Sequence, residues 1–142
     1  DAGSYSNWAS WVACLADNSW TSGGWGIYYY YFNFYVWEGA HNQGGYSGSW
    51  SGASSWRHHA IRYNGAGGSW QHFLNGTQNA TINATINTDV SAATDAYFTL
   101  AGVKKPNGTI EGRTGSKMCD VRLYDIVLTD SNISDIADGD WT

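Results

Sequence analysis

Charged residues are scarce in this chain, and basic residues are the scarcest. Among 142 residues there are seven Lys and Arg against twelve Asp and Glu, which make 13% of the chain and a formal net charge of −5. Proteins that bind nucleic acid place clustered Lys and Arg against the phosphates, whereas the basic residues here are scattered. No apolar run approaches the roughly 18 residues of a membrane-spanning helix. A nucleic-acid partner and membrane insertion are therefore not expected.

Carboxylates with catalytic spacing are also missing. A retaining glycosidase needs two carboxylates on one face, about 5 Å apart, yet the two glutamates, Glu38 and Glu111, stand alone. Asp120 and Asp125 have an odd spacing, which places them on opposite faces of a strand. No Ser-His-Asp pattern is marked by spacing, and no activating base is indicated for a cysteine. We therefore expect a protein that is not an enzyme.

Cysteine is nearly absent as well. The chain has two, Cys14 and Cys119, in two predicted strands far apart in the sequence. A disulfide between them would close a loop of over a hundred residues, which stabilises a fold by about 4–5 kcal/mol in the chain-entropy model. The alternative is two buried free thiols, since cysteine packs as a small apolar residue. The sequence leaves both alternatives open.

Short strand patterns, separated by glycine, asparagine and serine turns, recur along the chain. They predict strands at Ser10–Ala16, Trp25–Tyr31, Asn33–Trp37, Trp56–Tyr63, Ser69–Leu74, Tyr97–Ala101 and Ser116–Ile126. A helix signal occurs near the C-terminus, where Thr129 can cap a turn or two that end near Ile136. Short strands without intervening helices are typical of an antiparallel β-sandwich. We predict one all-β domain over residues 1–142 with a short C-terminal helix.

Two of the strand patterns carry finer predictions. In the last one, alternation places Cys119, Val121 and Leu123 on one face, which we expect to point into the core. The polar repeat from Asn79 to Thr88 matches neither a strand nor a helix period neatly. It predicts a polar edge strand followed by a loop.

Two stretches together resemble a known family. The run from Trp56 to Gly65, continued from Trp70 to Gly76, is similar to the pattern Trp-x-His-x-Ala-x-x-Tyr-Asp-Gly, an aromatic, an apolar residue and Asn-Gly. The run from Lys117 to Thr129 is similar to Asp-x-Val-Arg-x-Tyr-x-x-x-Leu-Ser. These are patterns of the laminin-G-like jelly roll of the concanavalin-A-like lectin and glucanase superfamily. The resemblance covers about residues 8–137 and implies a jelly-roll sandwich.

The chain departs from that family at its start. Members have several strands ahead of the Gly-Trp-Gly-Ile strand, whereas about 24 residues precede it here. The chain also begins at Asp1 rather than at methionine, so we expect either missing first strands or a shortened sandwich. An uncovered sheet edge invites pairing with another chain. Self-assembly through an open edge, or packing near Asp1, is the expected consequence.

Aromatic residues are abundant, at 16% of the chain with nine Trp and ten Tyr. Sugar rings stack on Trp and Tyr, while amide and carboxylate groups bind the sugar hydroxyls. We therefore expect a non-catalytic carbohydrate-binding or adhesion module. The candidate ligand contacts are Trp37, His41, Asn42, Tyr46 and Trp50.

A structural role is the alternative to carbohydrate binding. A sandwich with a coverable edge tiles well, so the chain is alternatively a decoration or assembly subunit of a virion, filament or surface layer. A glycosidase of the same fold is a third and weaker interpretation. The first two place the protein outside the cell, on the cell surface or on a virion, with a glycan or a protein surface as its partner.

Calcium is the cofactor that the family resemblance implies. Many members hold one ion at the sandwich rim with Asp and Asn oxygens and backbone carbonyls, which suit a hard cation. The candidate ligands are Asp17, Asn18 and Asp120. The alternative for Asp120 is an ion pair with Arg122 or the capping of a turn.

Histidine raises the question of zinc, which the spacing disfavours. His58 and His59 are neighbours on one predicted strand and face opposite sides of the sheet. His58 and His72 could lie diagonally across the predicted hairpin, which gives two ligands at most. Packed histidines are the simpler expectation.

Overall fold

The computed structural model describes residues 8–15, 24–30, 33–38, 56–63, 69–82, 97–105, 107–111 and 117–139. Its elements are β1 (Trp8–Leu15), β2 (Gly24–Tyr30), β3 (Asn33–Glu38), β4 (His59–Tyr63), β5 (Trp70–Leu74), β6 (Thr77–Ile82), β7 (Tyr97–Leu100), β8 (Val103–Lys104), β9 (Ile110–Glu111) and α1 (Asp130–Asp138). Every strand pair in these ranges is antiparallel. The predicted all-β class with one short C-terminal helix is confirmed.

The first sheet has the strand order β3-β2-β1-β7. Its inner strand β1 is covered on both faces, since Ala13 is fully buried and Cys14, which points the other way, is 9% exposed. Gly26 of β2 lies opposite Ala13. A Cβ at Gly26 would stand 3.4 Å from the Ala13 Cβ, so a pair of small residues fits this part of the core.

The second sheet has the strand order β4-β5-β6. Its central strand contributes three buried side chains: Phe73, His72 and Trp70. The two sheets meet where Trp11 of β1 packs edge-on against His59 of β4, with ring centroids 4.7 Å apart. The hairpin of β4 and β5 is therefore covered on both faces: Trp70 and His72 lie on the face of His59, and Phe73 lies on the opposite face with Arg62.

The turn between β5 and β6 is formed by Asn75 and Gly76, both with left-handed backbone (φ 48° and 78°). This turn matches the twist of paired strands, and asparagine and glycine adopt it at the lowest cost. Gly76 is also needed for space, because a Cβ there would stand 3.0 Å from the Ser134 Cα and 3.2 Å from the Ala137 Cβ. Helix α1 thus packs directly on the turn.

The strand that follows, β6, lies at the sheet edge, as its polar sequence predicts.

Helix α1 is capped as its sequence predicts. The Thr129 Oγ1 accepts a hydrogen bond from the Asn132 backbone N–H at 3.1 Å, and the Asn132 Oδ1 accepts from the Thr129 N–H at 3.1 Å. This reciprocal capping box satisfies donors that the first helical turn leaves unpaired. Asp130 in the first turn suits the positive end of the helix dipole. The helix stops at Gly139, whose backbone is left-handed, and Ile133 is its buried residue.

The strand predicted at Ser116–Ile126 is wrong. Residues 117–128 form no strand, and Asp120 has a left-handed backbone (φ 52°) that interrupts the extended run. The face predicted to point inward is exposed, since Val121 is 40% and Leu123 64% exposed. Alternating apolar residues are typical of a strand with one face buried in a sheet. Residues 117–128 do not pack in this way against the described strands.

Both cysteines are free thiols in the structure. Cys14 is buried in β1, and this burial raises the pKa of its thiol. Cys119 is exposed, not on an inward face as predicted. A disulfide would have to join a buried strand to an exposed segment. The alternative of two buried free thiols is matched at Cys14 but not at Cys119, which is exposed.

Candidate functional site

The most unusual feature of the described surface is residues 117–128, hereafter the exposed segment. Five large apolar side chains in it are 40–67% exposed: Val121, Leu123, Tyr124, Ile126 and Val127. Single exposed apolar residues are ordinary, but a contiguous set marks an interaction site. In the sequence this segment is marked by alternating apolar residues, which the sequence analysis interpreted as a strand of the core.

The C-terminal end of the exposed segment is fixed to edge strand β4. The Arg62 Nη1 donates to the Leu128 carbonyl at 2.8 Å and lies 2.7 Å from the Asp130 Oδ1. Its Nε donates to the Gln71 Oε1 at 2.7 Å, and its guanidinium lies over the Phe73 ring, 4.8 Å from the centroid. Arg62 therefore connects the second sheet, the segment and the start of α1.

The N-terminal part of the segment lies near the start of the same strand. Burial lowers the pKa of His58, and the negative charge of Asp120 opposes that shift. His58 is also fixed by the β5–β6 turn, because its backbone N–H donates to the Asn75 Oδ1 at 3.0 Å. The C-terminal end of the exposed segment is thus bonded to β4 through Arg62, and Asp120 lies close enough to His58 to affect its pKa.

Asp120, the described residue of the predicted calcium set, is paired with a guanidinium. Its two carboxylate oxygens accept from the Arg122 Nε at 2.7 Å and from Nη2 at 3.1 Å. This is the ion pair given above as the alternative. Asp17 and Asn18 lie outside the described residues. Within those residues, no group of three or more His, Cys, Asp and Glu side chains could hold a metal ion.

Glu111, the described glutamate whose side chain the structure places, is also in an ion pair. The Lys105 Nζ lies 2.7 Å from its Oε1, with the two side chains 13% and 34% exposed. A glycosidase needs one carboxylate kept protonated and a second close by. Glu111 is instead engaged by an ammonium group. This arrangement gives no support to a catalytic role for Glu111.

A pair of histidines is buried on the second sheet. The His59 Nδ1 and the His72 Nε2 are 3.1 Å apart, and the rings stack with an interplanar angle of 8°. The Asn79 Nδ2 lies 3.3 Å from the His72 Nδ1. If the amide nitrogen donates there, His72 carries its proton on Nε2 and donates to His59. The three side chains then form one chain of hydrogen bonds.

The sequence analysis predicted that His58 could lie diagonally across the hairpin from His72. This is wrong, because His59 occupies that position. The register sets Ile61 opposite His72 and His59 opposite Leu74, so His59 and His72 share a face and are diagonal neighbours. Burial lowers the pKa of His59 to about 3 and that of His72 to about 4. Both rings are therefore neutral at pH 7 and pack against each other, as the sequence predicts for packed histidines.

The predicted ligand-contact patch remains a prediction. Trp37 lies on β3 with its backbone opposite Gly26, whereas the other four residues, His41, Asn42, Tyr46 and Trp50, lie outside the described residues. The indole of Trp56, next to β4, is 65% exposed. An exposed indole of this kind was not among the predicted contacts.

Comparison with known proteins gives little further guidance. No family model matches the chain, and a search of curated proteins found no match. A crystal structure of an S-layer domain-containing protein from Clostridium thermocellum is similar, with a TM-score of 0.45 and 16% sequence identity. The similarity covers 91% of this chain and 63% of that chain, less than two thirds of its length. Among the described residues, no helix has the length and apolarity of a membrane span.

Proposed function

We propose that this chain is a non-catalytic assembly module of a surface layer, filament or virion, and that it joins neighbouring subunits through the exposed segment. One observation carries the proposal: residues 117–128 have the alternation of a strand, yet form no strand and expose their apolar side chains. A stretch with a strand pattern that lies exposed at the surface can pair with a strand of another chain. A location on the outer surface of a cell or particle follows from this role.

Burial of the exposed segment would supply the driving force for assembly. Full burial of a leucine or isoleucine side chain contributes about 1.5–3 kcal/mol. Leu123 is 64% and Ile126 67% exposed, so most of this free energy is unused in the single chain. Stable association needs a few such anchors at the centre of an interface, surrounded by weaker contacts.

The charges of the exposed segment suit a protein partner. Lys117 and Arg122 balance Asp120 and Asp125, so the segment has no formal net charge although the chain carries −5. Copies of the same chain, or other acidic subunits, are therefore not repelled at this surface. Its four charged residues can pair with opposite charges of a partner, and such pairs fix the register of an interface.

The proposal predicts that polar substitutions in the segment prevent assembly. The purified wild-type chain is expected to form oligomers or larger assemblies at micromolar concentration, measured by analytical ultracentrifugation. The variant with Leu123→Asn and Ile126→Asn is expected to raise the dissociation constant at least about a hundredfold, because two anchors are lost. Both side chains are exposed, so its folding is expected to be unchanged.

The matched control is Ile110→Asn, which removes an apolar side chain that is 49% exposed on β9, outside the segment. This variant is expected to assemble like the wild type. A wild-type chain that sediments as a single chain at all concentrations would contradict the assembly role. An equal loss of assembly in the control would place the interface elsewhere.

Carbohydrate binding is the second candidate function, and the exposed indole of Trp56 favours it. An exposed indole can stack on the apolar face of a sugar ring. A glycan array distinguishes the two candidates. Binding to one sugar class that is lost in Trp56→Ala supports the carbohydrate-binding role, while absence of binding together with assembly supports the structural role.

A further inference from the structure

We infer that the exposed segment pairs with the same segment of a second copy of this chain, antiparallel over residues 117–125 and about a two-fold axis at Val121. The inference depends on the assembly role proposed above and names both the partner and the register. It follows from the segment being complementary to itself in charge.

Charge complementarity selects this register. With the axis at Val121, antiparallel pairing sets Asp120 of one copy opposite Arg122 of the other, and Lys117 opposite Asp125. A two-fold interface repeats each contact, so every charged residue of the segment meets an opposite charge, which stabilises cross-strand pairs. Moving the axis by one residue sets Asp120 opposite Asp120, or Arg122 opposite Arg122. Those registers place like charges together.

The apolar side chains match in the same register. Leu123 faces Cys119 of the second copy, and Tyr124 faces Met118. Leu123 and Tyr124 are 64% and 46% exposed in the single chain, and aromatic or apolar cross-strand pairs stabilise a sheet. Pairing would therefore cover the surface that the single chain leaves in water.

The single chain keeps the segment bent. The left-handed backbone at Asp120 lets its carboxylate reach Arg122 of the same chain, with the two side chains 45% and 39% exposed. An exposed ion pair contributes little to stability. Extension of the segment in both copies replaces the two pairs within the copies with two pairs between them, and it also removes an unfavourable backbone conformation.

Engineered disulfides test the register. In a Cys119→Ser background, Val121→Cys is expected to cross-link two copies under mild oxidation, because residues opposite each other have Cα atoms about 4.5–5.5 Å apart, within disulfide reach. Leu123→Cys is expected to cross-link to the native Cys119 of the second copy. Leu123→Cys with Cys119→Ser is expected not to cross-link, since the two introduced thiols would be roughly 13 Å apart along the strands.

Mixing two charge variants tests the pairing between copies. Asp120→Arg and Arg122→Asp each place like charges opposite one another in a dimer of identical copies, so each is expected to weaken self-association about tenfold or more. In a mixture, every such pair is again Arg opposite Asp, and heterodimers are expected at near wild-type affinity. If Asp120 and Arg122 paired only within one chain, mixing the two variants would not restore the ion pair.

The outcomes separate this inference from the assembly role. The register is overturned if the wild type assembles but Val121→Cys does not cross-link, or if Leu123→Cys/Cys119→Ser does cross-link. The assembly role stands in either case. A wild-type chain that never associates overturns both. Cross-linking of Val121→Cys together with recovery on mixing establishes the two-fold pairing.

Discussion

Replacement of Phe73 by alanine is expected to lower the free energy of unfolding by about 3–5 kcal/mol, measured by urea denaturation. Phe73 is fully buried in the central strand of the second sheet. Its ring also supports the Arg62 guanidinium, which holds the Leu128 carbonyl and Asp130. The substitution therefore removes core packing and loosens the attachment of the exposed segment.

Phe98→Ala is the matched control for that measurement. The same side-chain atoms are removed, but Phe98 is 46% exposed on β7, so we expect a loss of about 1 kcal/mol. Equal losses at the two positions would contradict the assignment of the core to β5.

Acidification is expected to destabilise the fold through His59 and His72. In the unfolded chain each histidine takes up a proton near its ordinary pKa of 6.5, whereas in the fold the pKa is about 3 for His59 and about 4 for His72. The contribution of the neutral pair is fully present above pH 6.5. It is lost as the pH falls from 6.5 towards 4, by an amount on the order of 3 kcal/mol for each histidine.

Denaturation at several pH values measures this effect. The variant His72→Gln is expected to be less stable at pH 7, because Asn79 and His59 lose a hydrogen-bond partner, but to show a flatter decline towards pH 4. His58→Gln is the control. It is expected to keep most of the wild-type pH dependence, because Asp120 partly offsets the burial that lowers the His58 pKa. Parallel pH curves for wild type and His72→Gln would rule out the histidine pair as the cause.

Six of the strands could be predicted because their sequence signals are local. Apolar and aromatic runs bounded by glycine, asparagine and serine mark β1, β2, β3, β4, β5 and β7. The start of α1 was predictable for the same reason, since Thr129 and its partner Asn132 are three residues apart. The two-residue strands β8 and β9 are too short to carry a period, and the sequence does not predict them.

The candidate site could be predicted only in part, because it depends on pairing between distant residues. The histidine contact follows from the register of β4 and β5, which sequence alternation alone does not define to one residue. The run from Met118 to Leu128 has the same alternation as the buried strands, but alternation does not tell whether a neighbouring strand exists. The ion pair of Asp120 with Arg122 was foreseen as an alternative because the two residues share a face of an extended run.

The central claim is that the exposed segment forms no strand in the single chain and becomes a strand on assembly. Hydrogen–deuterium exchange of residues 117–128, at concentrations below and above the association midpoint, measures this directly. We predict fast exchange of these amides in the dilute protein and slow exchange in the concentrated protein, with β5 protected in both. Slow exchange of the segment at every concentration, or fast exchange in the assembled protein, would contradict the claim.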